Sequence, residues 1–180
     1  MTRLLLRILA IVVIGATAAL IMNKLAAREN NTRHVGIQHS EDSSFTSETR
    51  VHVLRLKPHD DLRLALEDYT RTHHLRAGFI ITAVGSLQAA KLRLADQKQA
   101  SSFTGKFEIV SLVGTLSPDG PHLHISLSDQ TGKTIGGHLL EGCSIYTTAE
   151  IVIGEAEDLQ FSRPLDSQTG FNELQIEQRK

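Results

Sequence analysis

A single cysteine in 180 residues leaves no partner for an intramolecular disulfide, and too few thiolates for a multi-cysteine zinc ribbon or iron–sulfur site. Tryptophan is absent and aromatic residues amount to 4%, which excludes the base-stacking platforms of single-strand nucleic-acid binders. There is no surplus of positive charge either: 19 Lys and Arg stand against 20 Asp and Glu, for a formal net charge of −1. Bulk electrostatic attraction to nucleic acid is therefore excluded, and nucleic acid is not expected as a partner. The chain contains no phosphate-cradling glycine loop, no nucleophile elbow, no paired CxxC and no internal repeat. With hydrophobic residues at 41% and charged residues at 22%, wholesale disorder is excluded as well. What stands out by excess is histidine, with nine copies.

Acidic residues are missing from the N-terminal stretch, where Arg3, Arg7, Lys24 and Arg28 all precede the first acid, Glu29. Between Arg7 and Lys24 runs an uncharged, mostly apolar segment, Ile8 to Asn23. A basic flank followed by an apolar run is the pattern of a secretory signal or a membrane anchor. Residues 4–22 come close to the roughly 20 residues that span a bilayer, with Arg7 snorkelling toward the headgroups. Ala16-Thr17-Ala18 resembles a cleavage site, yet Leu20, Ile21 and Met22 continue the run beyond it. The expectation is a signal peptide or N-terminal membrane anchor over 1–27, with the anchor preferred. The corresponding location is membrane-anchored or extracytoplasmic, ahead of a mitochondrial presequence. Residues 28–49 are polar, rich in Ser and Thr, and lack either periodicity, so a flexible linker is expected there.

A folded domain is expected over 50–163, with 164–180 as a C-terminal tail carrying a weak strand at Glu173–Ile176. Val51, Val53, Leu54 and Leu56 predict a strand ended by Lys57-Pro58. Leu62, Ala65, Leu66 and Tyr69 recur at helical spacing behind Asp60 and Asp61, predicting one amphipathic helix over 60–74. Strands are predicted at 77–85 and 88–95, a loop at 97–104, then a long strand from Lys106 to Leu116. Ser117-Pro118-Asp119-Gly120-Pro121 reads as a turn. Strands at 122–128, 135–140 and 144–153 follow, then an acidic turn at 155–158 and a short edge strand at 159–161. Many short strands around one helix predict an α+β fold with a mainly antiparallel, barrel-like sheet.

Two histidines stand two apart, His122 and His124, so a strand projects both from one face. The turn Gln130–Gly132 centres a hairpin on Thr131, which sets position 124 opposite 138. His122, His124 and His138 then share a face, a known way to build a site for Zn2+ or a similar divalent metal, with a fourth position left open. Gly136 and Gly137 beside them leave room for another backbone or a ligand. Glu108 and Glu141 are the acids expected nearest the sheet, as a general base, a fourth ligand or simple surface groups. Cys143, without a surrounding motif, is expected as a core thiol.

Three stretches in series carry a family resemblance: Gly105–Gly114, Pro121–Leu127 and Gly136–Gly142, with Ala83-Val84-Gly85-Ser86-Leu87 ahead of them. Over residues 50–163 the chain resembles the PPC (plant and prokaryote conserved) domain family. The resemblance implies an α+β domain that assembles as a homotrimer, and a metal site at His122, His124 and His138. Plant members join this domain to AT-hooks that enter the minor groove; the present sequence has no Arg-Gly-Arg-Pro segment. Two functions follow as expectations: a metal-binding trimer with a small ligand nearby, its catalysis left open, or a non-catalytic interaction or DNA-binding module without the hook.

Overall fold

Alternation of apolar and polar residues sets the inner face of an antiparallel sheet. The computed structural model describes residues 44–179. In chain order the elements are β1 (Thr49–Leu56), α1 (Leu62–Thr72), β2 (Gly78–Arg93), β3 (Ala100–Ser117), β4 (Gly120–Ser128), β5 (Thr134–Leu139), β6 (Ile145–Ala156), β7 (Leu159–Ser162) and β8 (Gln175–Gln178). Six strands form one sheet in the order β1-β6-β2-β3-β4-β5, and β7 pairs with β8. Every pairing is antiparallel. The structure is thus mostly antiparallel sheet with one short helix, consistent with the coarse α+β expectation.

β5 also returns to β2 through Leu92↔Leu139 and Arg93↔His138. Strands β2, β3, β4 and β5 therefore close a circuit, but only over two residue pairs, while β6 and β1 extend the sheet to one side. Inside lie Leu87, Leu92, Leu116, Leu123, Leu127, Leu139, Ile145, Ile151 and Ile153, all fully buried. The helix contributes Leu62 and Leu66, one turn apart and equally buried. Asp61 fixes where it starts: one carboxylate oxygen accepts from the Leu64 amide at 3.0 Å, and the other accepts from Gly142 and Cys143 amides at 2.7 and 3.1 Å. One capping residue thereby ties the helix to the β5–β6 connection.

Several boundaries differ from those expected. The strands predicted at 77–85 and 88–95 are one strand, β2, carried through its irregular middle by register shifts between Gly85 and Leu87 and between Leu87 and Ala89. At Gly85, with φ of 140°, a Cβ would lie 2.1 Å from the Thr148 carbonyl, so only glycine lets the two strands approach there. The predicted 97–104 loop shrinks because Ala100–Thr104 join β3 and pair with β2; exposed polar side chains do not prevent ladder pairing. Pro121 sits inside β4, opposite Leu116. Residues 164–180 include β8, which pairs with β7 from Leu159↔Gln178 to Ser162↔Gln175.

The membrane expectation is corrected. Among the described residues no helix is long and apolar enough to cross a bilayer; the single helix has 11 residues. Residues 1–27, with the anchor expected over 4–22, lie outside the described residues.

Candidate metal centre

The β4–β5 hairpin owes its register to one aspartate. The Asp129 Oδ1 accepts from the Thr131 amide, the Thr131 hydroxyl and the Lys133 amide at 2.8, 2.6 and 3.1 Å. Those bonds hold the Asp129 carboxyl below its ordinary range, the Thr131 hydroxyl being the first cause. Gly132 follows at φ 82°, a left-handed position that glycine adopts without a Cβ clash. With the turn fixed, the pairs run Ser128↔Thr134, Ser126↔Gly136 and His124↔His138. His122, two residues from His124 on β4, falls on the same face.

The three imidazoles do converge. Ring centroids are 5.3 Å apart for His122–His124, 5.1 Å for His122–His138 and 5.5 Å for His124–His138. Each ring offers a nitrogen within 4.8 Å of the other two. Among the described residues this is the one such group of His, Cys, Asp or Glu. His122 and His138 are half-buried and His124 is exposed, on the side of the sheet opposite buried Leu123 and Ile125. The Nδ1 atom of His138 is buried without a hydrogen-bond partner. Burial first, then the Arg93 guanidinium and the two neighbouring rings, push His138 down to about 4. His122 is lowered as well, by burial and next by Arg163. Both rings are therefore neutral at pH 7, the form that ligates a metal. Three converging imidazoles, one of them with an orphaned ring nitrogen, fit a borderline divalent ion such as Zn2+.

Beside His122 and His138 opens a cavity of about 390 Å³, walled by Arg93, Pro121, Asp119, Arg163 and the Phe171–Glu173 segment. A larger cavity of about 500 Å³ lies elsewhere, between the end of α1 and the β3–β4 turn, and contains none of the three histidines. Glu108 and Glu141 are exposed, and neither lines the cavity at the histidines; the acids there are Asp119 and Glu173. Gly136 and Gly137 both lie close against neighbouring backbone. A Cβ on Gly136 would stand 2.8 Å from the Ile125 carbonyl, and one on Gly137 would stand 2.8 Å from the Arg93 carbonyl. The missing side chain at Gly136 lets β4 approach β5, and that at Gly137 lets β2 close onto it. Cys143 is fully buried, with its thiol pushed up by burial and close to the Lys91 backbone. Arg93 and Arg163 escape a reading of local pattern: Arg93 reaches His138 only through the β2–β5 closure, and Arg163 through the chain beyond β7.

The model of the Plants and Prokaryotes Conserved (PCC) domain matches residues 43–157. A Bifunctional protein GlmU from Synechococcus sp. (strain JA-3-3Ab) is 50% identical over 132 residues, 73% of this chain but 21% of that protein. The chain thus spans about a fifth of the length of this curated relative. Among solved structures, a hypothetical protein from Salmonella enterica superposes with a TM-score of 0.74 at 41% identity, covering 76% of this chain and 99% of that one. A metal-containing protein from Archaeoglobus fulgidus superposes with a TM-score of 0.64 at 26% identity, covering 73% and 98%. From the domain match across most of the folded part, the chain belongs to the Plants and Prokaryotes Conserved domain family.

Proposed function

We propose that this chain is a metal-binding member of its family, holding one divalent transition metal per chain on His122, His124 and His138. The observation that carries the reading is the convergence of three imidazoles from one hairpin within 4.8 Å, two of them kept neutral by burial. The description of the Archaeoglobus relative as metal-containing agrees with it. Three protein ligands leave a tetrahedral ion one open position, the arrangement of sites that bind a small ligand and not of closed structural sites. The barrel-like closure of β2 onto β5 serves the site by setting His138 beside Arg93.

Self-assembly as a homotrimer completes the proposal. Val51, Val53, Val84, Val110 and Val113 are each more than half exposed on strands β1, β2 and β3. Apolar sheet surface of this kind is normally covered by a partner, and a second and third copy of the chain provide one. The same surface also suits a metal-free interaction module. Elemental analysis of the purified full chain separates the two readings. About one transition metal per chain is expected, and a metal-free preparation that also refuses added Zn2+ or Co2+ defeats the metal reading.

A further inference from the structure

We infer that the three-histidine site is completed by a small oxyanion, a carboxylate or phosphate group, held between the bound metal and Arg93. This rests on the metal reading above and goes on to the class of ligand. Imidazole ligands contribute no negative charge, so a divalent ion among the three rings keeps its full charge and seeks an anionic fourth ligand. The groups around the cavity determine whether the protein supplies one. Asp119 Oδ2 is engaged by the Arg163 amide at 2.8 Å. Glu173 leans toward Arg163, its Oε2 4.0 Å from the guanidinium, with its side chain 44% exposed. Neither acid joins the converging donor set.

The cations divide in the same way. Arg163 is committed: its guanidinium also donates to the Asn172 carbonyl at 2.6 Å, and its side chain is only 12% exposed. Arg93, exposed on β2 and paired through its backbone with His138, has no ion-pair partner among the described residues. A guanidinium fork beside an open metal position matches the two or three oxygens of one small anion, one oxygen on the metal and another on the fork. The cavity of about 390 Å³ has the size of a small-ligand site, and Pro121 and Phe171 are among the residues that line it.

The test uses the full chain loaded with Co2+, whose visible absorption reports its coordination, titrated separately with inorganic phosphate and with acetate. A saturable spectral change with at least one anion is expected, and the anion with the lower apparent dissociation constant identifies the headgroup chemistry. Arg93→Ala should weaken that anion about tenfold or more, the worth of one charge-assisted contact, while keeping cobalt stoichiometry. Arg93→Gln, which preserves side-chain volume, should give the same loss if the alanine variant folds poorly. A loaded protein whose spectrum ignores both anions overturns the inference, as does an unchanged anion affinity in a folded Arg93 variant. A wild-type chain that takes up no cobalt sinks the three-histidine reading itself, and the anion site with it.

Discussion

His138 shows how a position in the fold prepares a common side chain to act as a ligand. In the unfolded chain its imidazole titrates near 6.5; folded, it is held to about 4 by burial and then by Arg93. Between those values the unfolded state binds a proton that the folded state refuses, so stability rises with pH across the window. The metal-free chain should therefore lose stability as pH falls from about 6.5 toward 4, and the His138 ring protons should titrate with a midpoint near 4 by NMR. A His138 midpoint at 6.5 or above would show that the ring is solvated. His124 is the complementary case, exposed and held by the hairpin backbone. His124→Ala should abolish metal uptake measured by elemental analysis while leaving the circular dichroism spectrum unchanged; full occupancy in that variant would remove His124 from the site. At this scale the sequence was informative about the three histidines, because spacing of two and a short turn determine which side chains share a face. It was uninformative about Arg93, Arg163 and Glu173, whose approach to those rings depends on chain segments far away in sequence. Glu108 is on strand β3 and Glu141 follows β5, both exposed, and neither lines the cavity at the histidines.

Strand β4 carries two of the three histidines, and glycine decides how closely β3 approaches it. Gly114, opposite Leu123, has φ of 134°, and a Cβ there would lie 2.0 Å from the His122 carbonyl. Gly132 in the β4–β5 turn also has positive φ, 82°, but nothing lies within 4 Å of its virtual Cβ. The two positions separate backbone strain from steric collision. Gly114→Ala combines both, and should destabilise the chain by about 2–5 kcal/mol in urea unfolding. Gly132→Ala suffers strain alone, about 1–2 kcal/mol. Equal effects of the two substitutions would show that the β3–β4 approach is not tight. Hairpin register was legible from the sequence because the turn is three residues long and its Asp and Gly are placed for it. The unity of β2 was not, since Gly85 reads locally as a break and only pairing with Thr148 and Ala149 shows that it is a close approach. The β2–β5 closure was equally hidden, because it rests on two residue pairs distant in sequence.

For the whole molecule, the question is what covers the outward valines. An antiparallel sheet that faced only water would alternate apolar and polar residues, yet Val84 and Val110 on adjacent strands β2 and β3 are 55% and 59% exposed. If the proposed trimer buries this face, the full chain should sediment as a trimer at micromolar concentration. Val84→Asp places a charge without a partner in the interface and should shift the protein to monomer. The three histidines of the proposed site all come from β4 and β5 of one chain. Dissociation should therefore leave metal stoichiometry unchanged at about one per chain. That combination, measured by sedimentation and elemental analysis on one sample, distinguishes assembly from ligation. Loss of metal on dissociation would mean that a neighbouring subunit supplies a ligand. A wild-type monomer would mean that the exposed face serves a different partner, with the three histidines still available to bind an ion within the isolated chain.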